Sequence, residues 1–352
     1  MTPIQIQEHI SLAPLTTLNI GGEARFFARA ENEEQILAGL EFARQRALPV
    51  FILGGGSNVL IADDGFDGLV LQMVLGGIAF EESRVTAAGG EGWDDLVRVC
   101  VEKNLAGVEC LSGIPGFVGA TPIQNVGAYG QDVSETITAV RVYDRETARF
   151  ETMSNADCGF SYRSSIFNST QKDRYIVTAV TYDLALNGEP SIRYADLKKY
   201  FAGKNEVPSL SDVRQAVIEI RAKKSMVISP GDPNSRSAGS FFKNPVVSLE
   251  KFDEIQEAAK TLGLTTEGQS VPFFAAGDGE VKVPAAWLIE KSGFQKGYVF
   301  GNVGLSENHT LAIINRGNAK AGEVLGLMNA IQAAVRENFG VELKPEPIFI
   351  GF

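Results

Sequence analysis

Histidine and cysteine, the residues that most often mark metal and nucleophile sites, are scarce in this 352-residue chain, which has two histidines, His9 and His309, and three cysteines. With no CxxC pair, so few ligands leave a zinc site or a Ser-His-Asp triad poorly supplied, and no metal is expected. Cys100, Cys110 and Cys158 are odd in number and widely spaced, which argues against a disulfide framework and fits a reducing, cytoplasmic setting. Basic charge is short too: 32 Lys and Arg stand against 43 Asp and Glu, a net charge of −11. That balance disfavours nucleic acid as a partner but leaves room for a local basic site for a small anion. No apolar run reaches membrane-spanning length, and the start MTPIQIQEHISLAPL lacks a basic segment followed by an apolar core. Neither membrane association nor a leader is expected. Also missing are the Gly-Lys-Ser/Thr of a Walker loop and a GxGxxG that opens a helix.

What is present is a long uncharged run from Cys110 to Gln131. Its centre, GIPGFVGATPIQNVGAYG from Gly113 to Gly130, holds five glycines and two prolines. Such a segment is too broken for a regular helix or a central strand. If buried, it leaves backbone N–H and C=O groups in need of partners, and either a bound ligand or a Gly-rich turn system would supply them.

Hydrophobic spacing predicts a helix over Glu33 to Arg46, with Ile36, Leu37, Leu40 and Ala43 on one face, then a buried strand in PVFIL. That strand runs into Gly54-Gly55-Gly56-Ser57-Asn58, and VLIADDGFDGLVLQ follows as strand, turn and strand. Glycines that join strand to strand can bind phosphate through a nest of backbone N–H groups, or form a plain hairpin turn. Trp93, Leu96, Val97, Cys100 and Val101 fall at i, i+3, i+4, i+7 and i+8, the mark of an amphipathic helix over Asp94 to Asn104 that places Cys100 in the core. Strands are expected at Ala139 to Tyr143 and Tyr175 to Leu186. Single helices among strands, without regular βα alternation, indicate an α+β class. The stretch from Asn187 to Pro208 reads as an interdomain connection with Tyr194 on a loop. Helices follow at Asp212 to Lys223, Leu249 to Leu262 and Val324 to Phe339, with a strand at Leu311 to Asn315 and an edge strand at KPEPIFIGF.

Three short stretches could carry chemistry. In CGFSYRSSIF, Tyr162 and Arg163 sit among apolar and hydroxyl residues, where an arginine pairs with a carboxylate or an anionic ligand. In SAGSFFKNP, Ser240 precedes two phenylalanines, and Lys243 and Asn244 add donors. With no neighbouring histidine in the sequence, Ser240 suits an acyl-transfer nucleophile poorly and suits proton donation to a strongly basic carbanion better; a turn or N-cap serine is the plainer alternative. In KPEPIF, Glu346 is held between prolines, which fits a catalytic carboxylate or an ordinary strand ending.

The segments LGGGSNVL, IPGFVGATPIQNVGAYG, FSYRSSIF, SAGSFFKNP, PAAWLIE and KPEPIF, in this order, resemble the UDP-N-acetylenolpyruvoylglucosamine reductases, the flavoenzymes that complete UDP-N-acetylmuramic acid for bacterial cell walls. The resemblance spans nearly the whole chain. It implies an FAD-binding region of the vanillyl-alcohol oxidase-like type made of two α+β lobes, residues 1–75 and 76–208, with a substrate loop near 187–208. A C-terminal α+β substrate-binding domain would occupy 209–352. The resemblance further implies noncovalent FAD, NADPH and the UDP-linked enolpyruvyl sugar as ligands, and a monomer. FAD would contact Gly54, Gly55, Gly56, Ser57 and Asn58 at its pyrophosphate. Ile114, Pro115, Gly116, Gly119, Ala120, Thr121, Asn125, Gly127, Ala128, Tyr129 and Gly130 would wrap it. Arg163 and Glu346 would hold and polarise the substrate carboxylate, with Ser240 as proton donor. Tyr162, Tyr194, Lys224, Asn244, Lys296 and His309 match positions that touch substrate. Some relatives carry an acidic residue at Gly55. Two rivals are an oxygen-using oxidase on the same FAD fold and a noncatalytic nucleotide-binding protein. Many such oxidases tether flavin through His or Cys, and neither histidine here lies in a cofactor motif; the intact Arg163, Ser240 and Glu346 set argues against the second rival.

Overall fold

The computed structural model describes residues 3–204, 206–266, 268–277 and 279–352. It divides into two compact units: Met1–Ile10, Glu23–Gly56 and Phe66–Val227 in the first, Ser11–Gly22, Ser57–Gly65 and Ile228–Phe352 in the second.

The first unit carries two sheets. One has the strand order Gln7–Ser11, Glu23–Ala30, Phe66–Met73, Val50–Leu53, and its last three strands run parallel. Parallel neighbours need a crossover, and the helix Glu33–Gln45 provides it between Glu23–Ala30 and Val50–Leu53. Asn32 starts that helix, its side chain accepting from the Gln35 N–H at 3.0 Å. Ile36 and Ala43 then bury against Leu69 and Leu71. The second sheet is antiparallel throughout, in the order Arg149–Ser154, Ile137–Asp144, Tyr175–Asp183, Arg84–Ala88, Ile78–Glu81. The helix Trp93–Glu102 packs Trp93, Leu96, Val97, Cys100 and Val101 into one cluster with Val85, Ala87, Val140 and Tyr182. Burial of side chains this large contributes roughly 1.5–3 kcal/mol each. Glu33 links the two lobes by accepting from Arg141 at 2.7 and 3.0 Å and from Thr178 at 3.0 Å.

In the second unit the helices Leu249–Thr261, Ala285–Lys291 and Ala321–Phe339 share one core with Leu18, Ile20 and Leu60. Those early residues explain why two N-terminal segments belong to the C-terminal body. Asp63 caps the longest helix, accepting from the N–H groups of Ala321 and Gly322 at 2.9 and 3.1 Å. Val59–Ile61 pairs in parallel with Ile348–Ile350.

The helix Leu210–Lys223 groups with the first unit. Two sequence expectations change. Tyr194 is not in an open loop but at the N-cap of a helix, Ala195–Phe201. Only Leu197 of its seven residues is buried, too little for a periodic signal. Glu346 precedes the terminal strand and is not part of it; the antiparallel bridge Phe242↔Pro345 holds its neighbour instead.

Candidate functional site

In the first unit the stretch Gly113–Gly130 is built into the fold by its own backbone. Trp93 donates its N–H to the Gly116 carbonyl at 3.0 Å, Val118 donates to Glu91 at 2.9 Å, and Gly119 donates to Gly89 at 2.9 Å. Gly113 donates to Asp94 Oδ1 at 2.6 Å, and Asp94 is itself gripped by Arg214 at 2.6 and 2.9 Å. Thr121 is buried with its hydroxyl on the Val118 carbonyl and 2.9 Å from the Tyr182 hydroxyl. Much of this backbone is thus satisfied by the protein itself, as in the Gly-rich turn system that the sequence left open beside a bound ligand.

Its other half fits a cofactor cradle. A Cβ on Gly55 would sit 2.8 Å from Gly116 Cα, and one on Gly119 would sit 2.9 Å from the Gly89 carbonyl oxygen. Only glycine permits such approach. The two glycine-rich segments separated in sequence, Gly54–Gly56 and Ile114–Thr121, therefore meet, and a Cβ on Gly54 would lie 3.9 Å from the Ala120 methyl. Gly56, Gly113, Gly116, Asn125, Tyr129 and Gly130 all have positive φ, from 46° to 116°. The result is a sharply turning, uncharged backbone surface, which suits a large planar cofactor carrying phosphates. Ser57 and Asn58 belong to the second unit.

Arg163, also at positive φ (51°), is held by this same stretch: its guanidinium donates to the Gly127 carbonyl and, at 3.5 Å, to that of Asn125, and lies 3.6 Å from Asp132. The Asn125 side chain donates to Ser161 at 3.0 Å and accepts from Ser134 at 3.1 Å, so it fixes the turn. Tyr162 is exposed, with the Arg163 guanidinium 5.4 Å from its ring centre.

Tyr129, Tyr194 and Lys224 are brought together. The two tyrosine rings meet edge-on at 5.5 Å, and Lys224 Nζ is 5.9 Å from the Tyr129 ring and 2.9 Å from Asp196. Burial works against the Lys224 ammonium, but the Asp196 hydrogen bond and the nearby tyrosines hold its pKa above the ordinary lysine value. Burial raises the Tyr129 pKa, opposed by Arg221 and Lys224. Arg221 is buried, donates to the carbonyls of Gly113 and Met226 at 3.2 and 2.8 Å, and has its pKa pushed down by desolvation. Burial pushes the thiols of Cys100 and Cys158 up to about 12, which leaves them inert.

In the second unit the strand-like run Ser240–Lys243 lies against Lys344–Glu346. Glu346 donates its N–H to the Phe241 carbonyl at 2.8 Å, and Lys243 donates to Lys344 at 3.0 Å. Asn58 supports Glu346 by donating to its carbonyl at 3.3 Å, while the Asn58 carbonyl accepts from Ile348 at 3.0 Å. Ser240 and Glu346 thus stand on adjacent backbones, and Phe241 and Phe242, which follow Ser240, are buried. Asn244 accepts from the Ala285 N–H at 2.8 Å and so starts the helix Ala285–Lys291. Lys296 is exposed on the turn after that helix. His309, far from Ser240 in the sequence, is its neighbour in space: His309 Nε2 lies 3.3 Å from Ser240 Oγ.

Sequence reasoning also missed Glu109, a fully buried carboxylate that accepts from Gly107 and Ser191 N–H groups at 2.7 and 2.8 Å and from Gln131 Nε2 at 2.8 Å. Lone glutamates give no such signal in a sequence.

Residues 24–153 match the family model for an FAD binding domain, and residues 232–350 match that for the UDP-N-acetylenolpyruvoylglucosamine reductase C-terminal domain. The UDP-N-acetylenolpyruvoylglucosamine reductase of Thermobifida fusca is 45% identical, over 97% of each chain. The chain belongs to the UDP-N-acetylenolpyruvoylglucosamine reductase family. The reductase of Streptomyces coelicolor is 44% identical over 100% of this chain and 92% of its own. The crystal structure of the Thermus caldophilus reductase shares the fold, with a TM-score of 0.66 at 23% identity, covering 99% of this chain and 100% of that one. The FAD-binding-domain match spans the glycine-rich segments Gly54–Gly56 and Gly113–Gly130, and the C-terminal-domain match contains Ser240 and Glu346.

Proposed function

We propose that this chain reduces the enolpyruvyl ether of UDP-N-acetylglucosamine to UDP-N-acetylmuramate, a step in peptidoglycan precursor synthesis, with FAD as bound cofactor and NADPH as reductant. The observation that carries this reading is the match to the reductases along the whole chain, 45% identical over 97% of both. Its FAD is held by Gly54–Asn58 and by the backbone of Ile114–Gly130. When bound, FAD supplies the two electrons as hydride to the terminal vinyl carbon.

The chain's own residues manage the charge and the proton that this addition requires. Negative charge develops on the carbon next to the substrate carboxylate, and a preorganised cation lowers the energy of such charge most in a water-poor site. Arg163 serves there, its guanidinium oriented by the Gly127 and Asn125 carbonyls. Glu346 acts with it on the carboxylate group. Ser240 donates its hydroxyl proton to the carbanion, a use open to a high-pKa donor because the acceptor is more basic still. Tyr162, Tyr194, Lys224, Asn244 and Lys296 bind the nucleotide sugar; the lysines suit its diphosphate. Arg163 supplies the electrostatic part of this work and Ser240 the proton.

Ser240→Ala tests the assignment. Flavin reduction by NADPH should stay near wild type, while reoxidation by the enolpyruvyl sugar should slow on the order of 10²–10⁴-fold. Equal losses in both halves would make Ser240 structural.

A further inference from the structure

We propose that His309 is the positioning residue that resupplies the Ser240 proton, an inference that rests on the reading of Ser240 as donor. The sequence has only two histidines. His9 is exposed beside Glu23 at 3.5 Å, whereas His309 lies with its Nε2 3.3 Å from the Ser240 hydroxyl, 69 residues away in sequence.

The fold enforces that approach. Phe241, next to Ser240, donates its N–H to the Leu311 carbonyl at 2.7 Å, and Ser237 bridges to Ile314 in antiparallel register. The turn bearing His309 is closed by Ala312 N–H on the His309 carbonyl at 3.1 Å and by Ser306 N–H on the Ala312 carbonyl at 2.9 Å. Thr310, the next residue, donates its hydroxyl to the Glu290 carboxylate. The imidazole is therefore carried on a loop tied down on both sides, against a serine that precedes two buried phenylalanines.

The chemistry needs such a partner. When Ser240 gives its proton to the substrate carbanion, a C–H bond forms, the serine O–H bond breaks, and an alkoxide is left in a half-buried position. An imidazolium at His309 removes that cost: its Nε2–H bond breaks as the serine O–H bond re-forms, and the ring ends neutral and takes a proton from water. No electrons move in this exchange, since both arrive with the hydride.

The experiment uses the FAD-loaded enzyme, reduced anaerobically with NADPH and mixed with the enolpyruvyl sugar while flavin absorbance is followed. His309→Ala and His309→Gln should each slow reoxidation on the order of 10²-fold with flavin reduction within about twofold of wild type. Added imidazole should restore a large part of the His309→Ala loss, and Ser240→Ala with His309→Ala should be no slower than Ser240→Ala alone, because one residue acts through the other. Nitrogen NMR of the two histidines gives an independent readout, in which Ser240→Ala should shift the ring signal of one histidine and leave the other. Wild-type reoxidation in His309→Gln, loss in both half-reactions without imidazole rescue, or losses that multiply in the double variant would overturn the proposal. If Ser240→Ala itself reoxidises normally, the donor reading fails; if Ser240→Ala is slow and both His309 variants are fast, only the His309 role fails.

Discussion

Glu109→Gln should weaken the first unit far more than so small a change would on a surface. The native carboxylate is fully buried and accepts three hydrogen bonds, from Gly107 N–H, Ser191 N–H and Gln131 Nε2. A carboxamide has one oxygen, so its NH2 group must face at least one of those donors. Losing one bond to a charged acceptor costs about 1.5–3 kcal/mol, and downgrading the other two to neutral bonds costs about 0.5–1 kcal/mol each. The sum is roughly 2.5–5 kcal/mol. For a unit of this size, each kcal/mol lowers the melting temperature by about 2–4 °C, so Tm should fall by roughly 5–20 °C. The consequence is also functional. Gln131 closes the Gly113–Gly130 stretch and accepts from Cys110 N–H at 2.8 Å, and Ser191 opens the segment that leads to Tyr194. Thermal unfolding read by circular dichroism and by release of flavin fluorescence should show both shifts together. A Tm within about 2 °C of wild type would refute the reasoning, since the three bonds could not then depend on the charge.

Two further predictions concern the same unit. Asp94 is opposed by burial, yet its hydrogen bonds to Arg214 and Gly113 hold its pKa below the usual value of 3.8. A carboxylate depressed in the folded state adds stability that is present above its unfolded pKa and is lost as pH falls through the folded one. Urea unfolding should thus show a stability loss below about pH 4 that Asp94→Asn lacks, because the variant has already lost that contribution at neutral pH; matching acid limbs in the two proteins would contradict this. Arg163→Lys keeps the charge but not the fork that reaches two carbonyls, and a single ammonium cannot replace both bonds. It should retain FAD and NADPH reduction while slowing reoxidation by roughly 10-fold or more, and loss of FAD on purification would move Arg163 into the cofactor site.

The sequence and the structure agree where the signal is local and periodic. Five apolar residues at helical spacing predicted a helix over Asp94 to Asn104, the helix runs Trp93–Glu102, and all five are buried. Glycines between strands at Gly54–Gly56 ruled out a helix-opening phosphate loop, and the strands Val50–Leu53 and Val59–Ile61 flank them. What stayed hidden is nonlocal. The Ser240–His309 contact depends on a register between segments 69 residues apart, and no spacing in the chain announces it. Glu109 draws its three donors from positions 107, 131 and 191, so its burial exists only once the fold does. The union of Ser11–Gly22 and Ser57–Gly65 with the C-terminal body follows from Leu18, Ile20 and Leu60 sharing a core with three late helices. The segment order alone carried the family resemblance, because each glycine-rich or serine-bearing stretch has an ordinary turn as its alternative.

The most direct test of the central claim is an anaerobic two-step experiment on the wild-type protein. The wild-type protein should be yellow with noncovalent FAD and should bleach on addition of NADPH. The colour should return only when the UDP-linked enolpyruvyl sugar is added, with UDP-N-acetylmuramate formed in equal amount. A colourless protein unable to bind FAD, or reduced flavin that is reoxidised by oxygen and ignores the sugar, would contradict it.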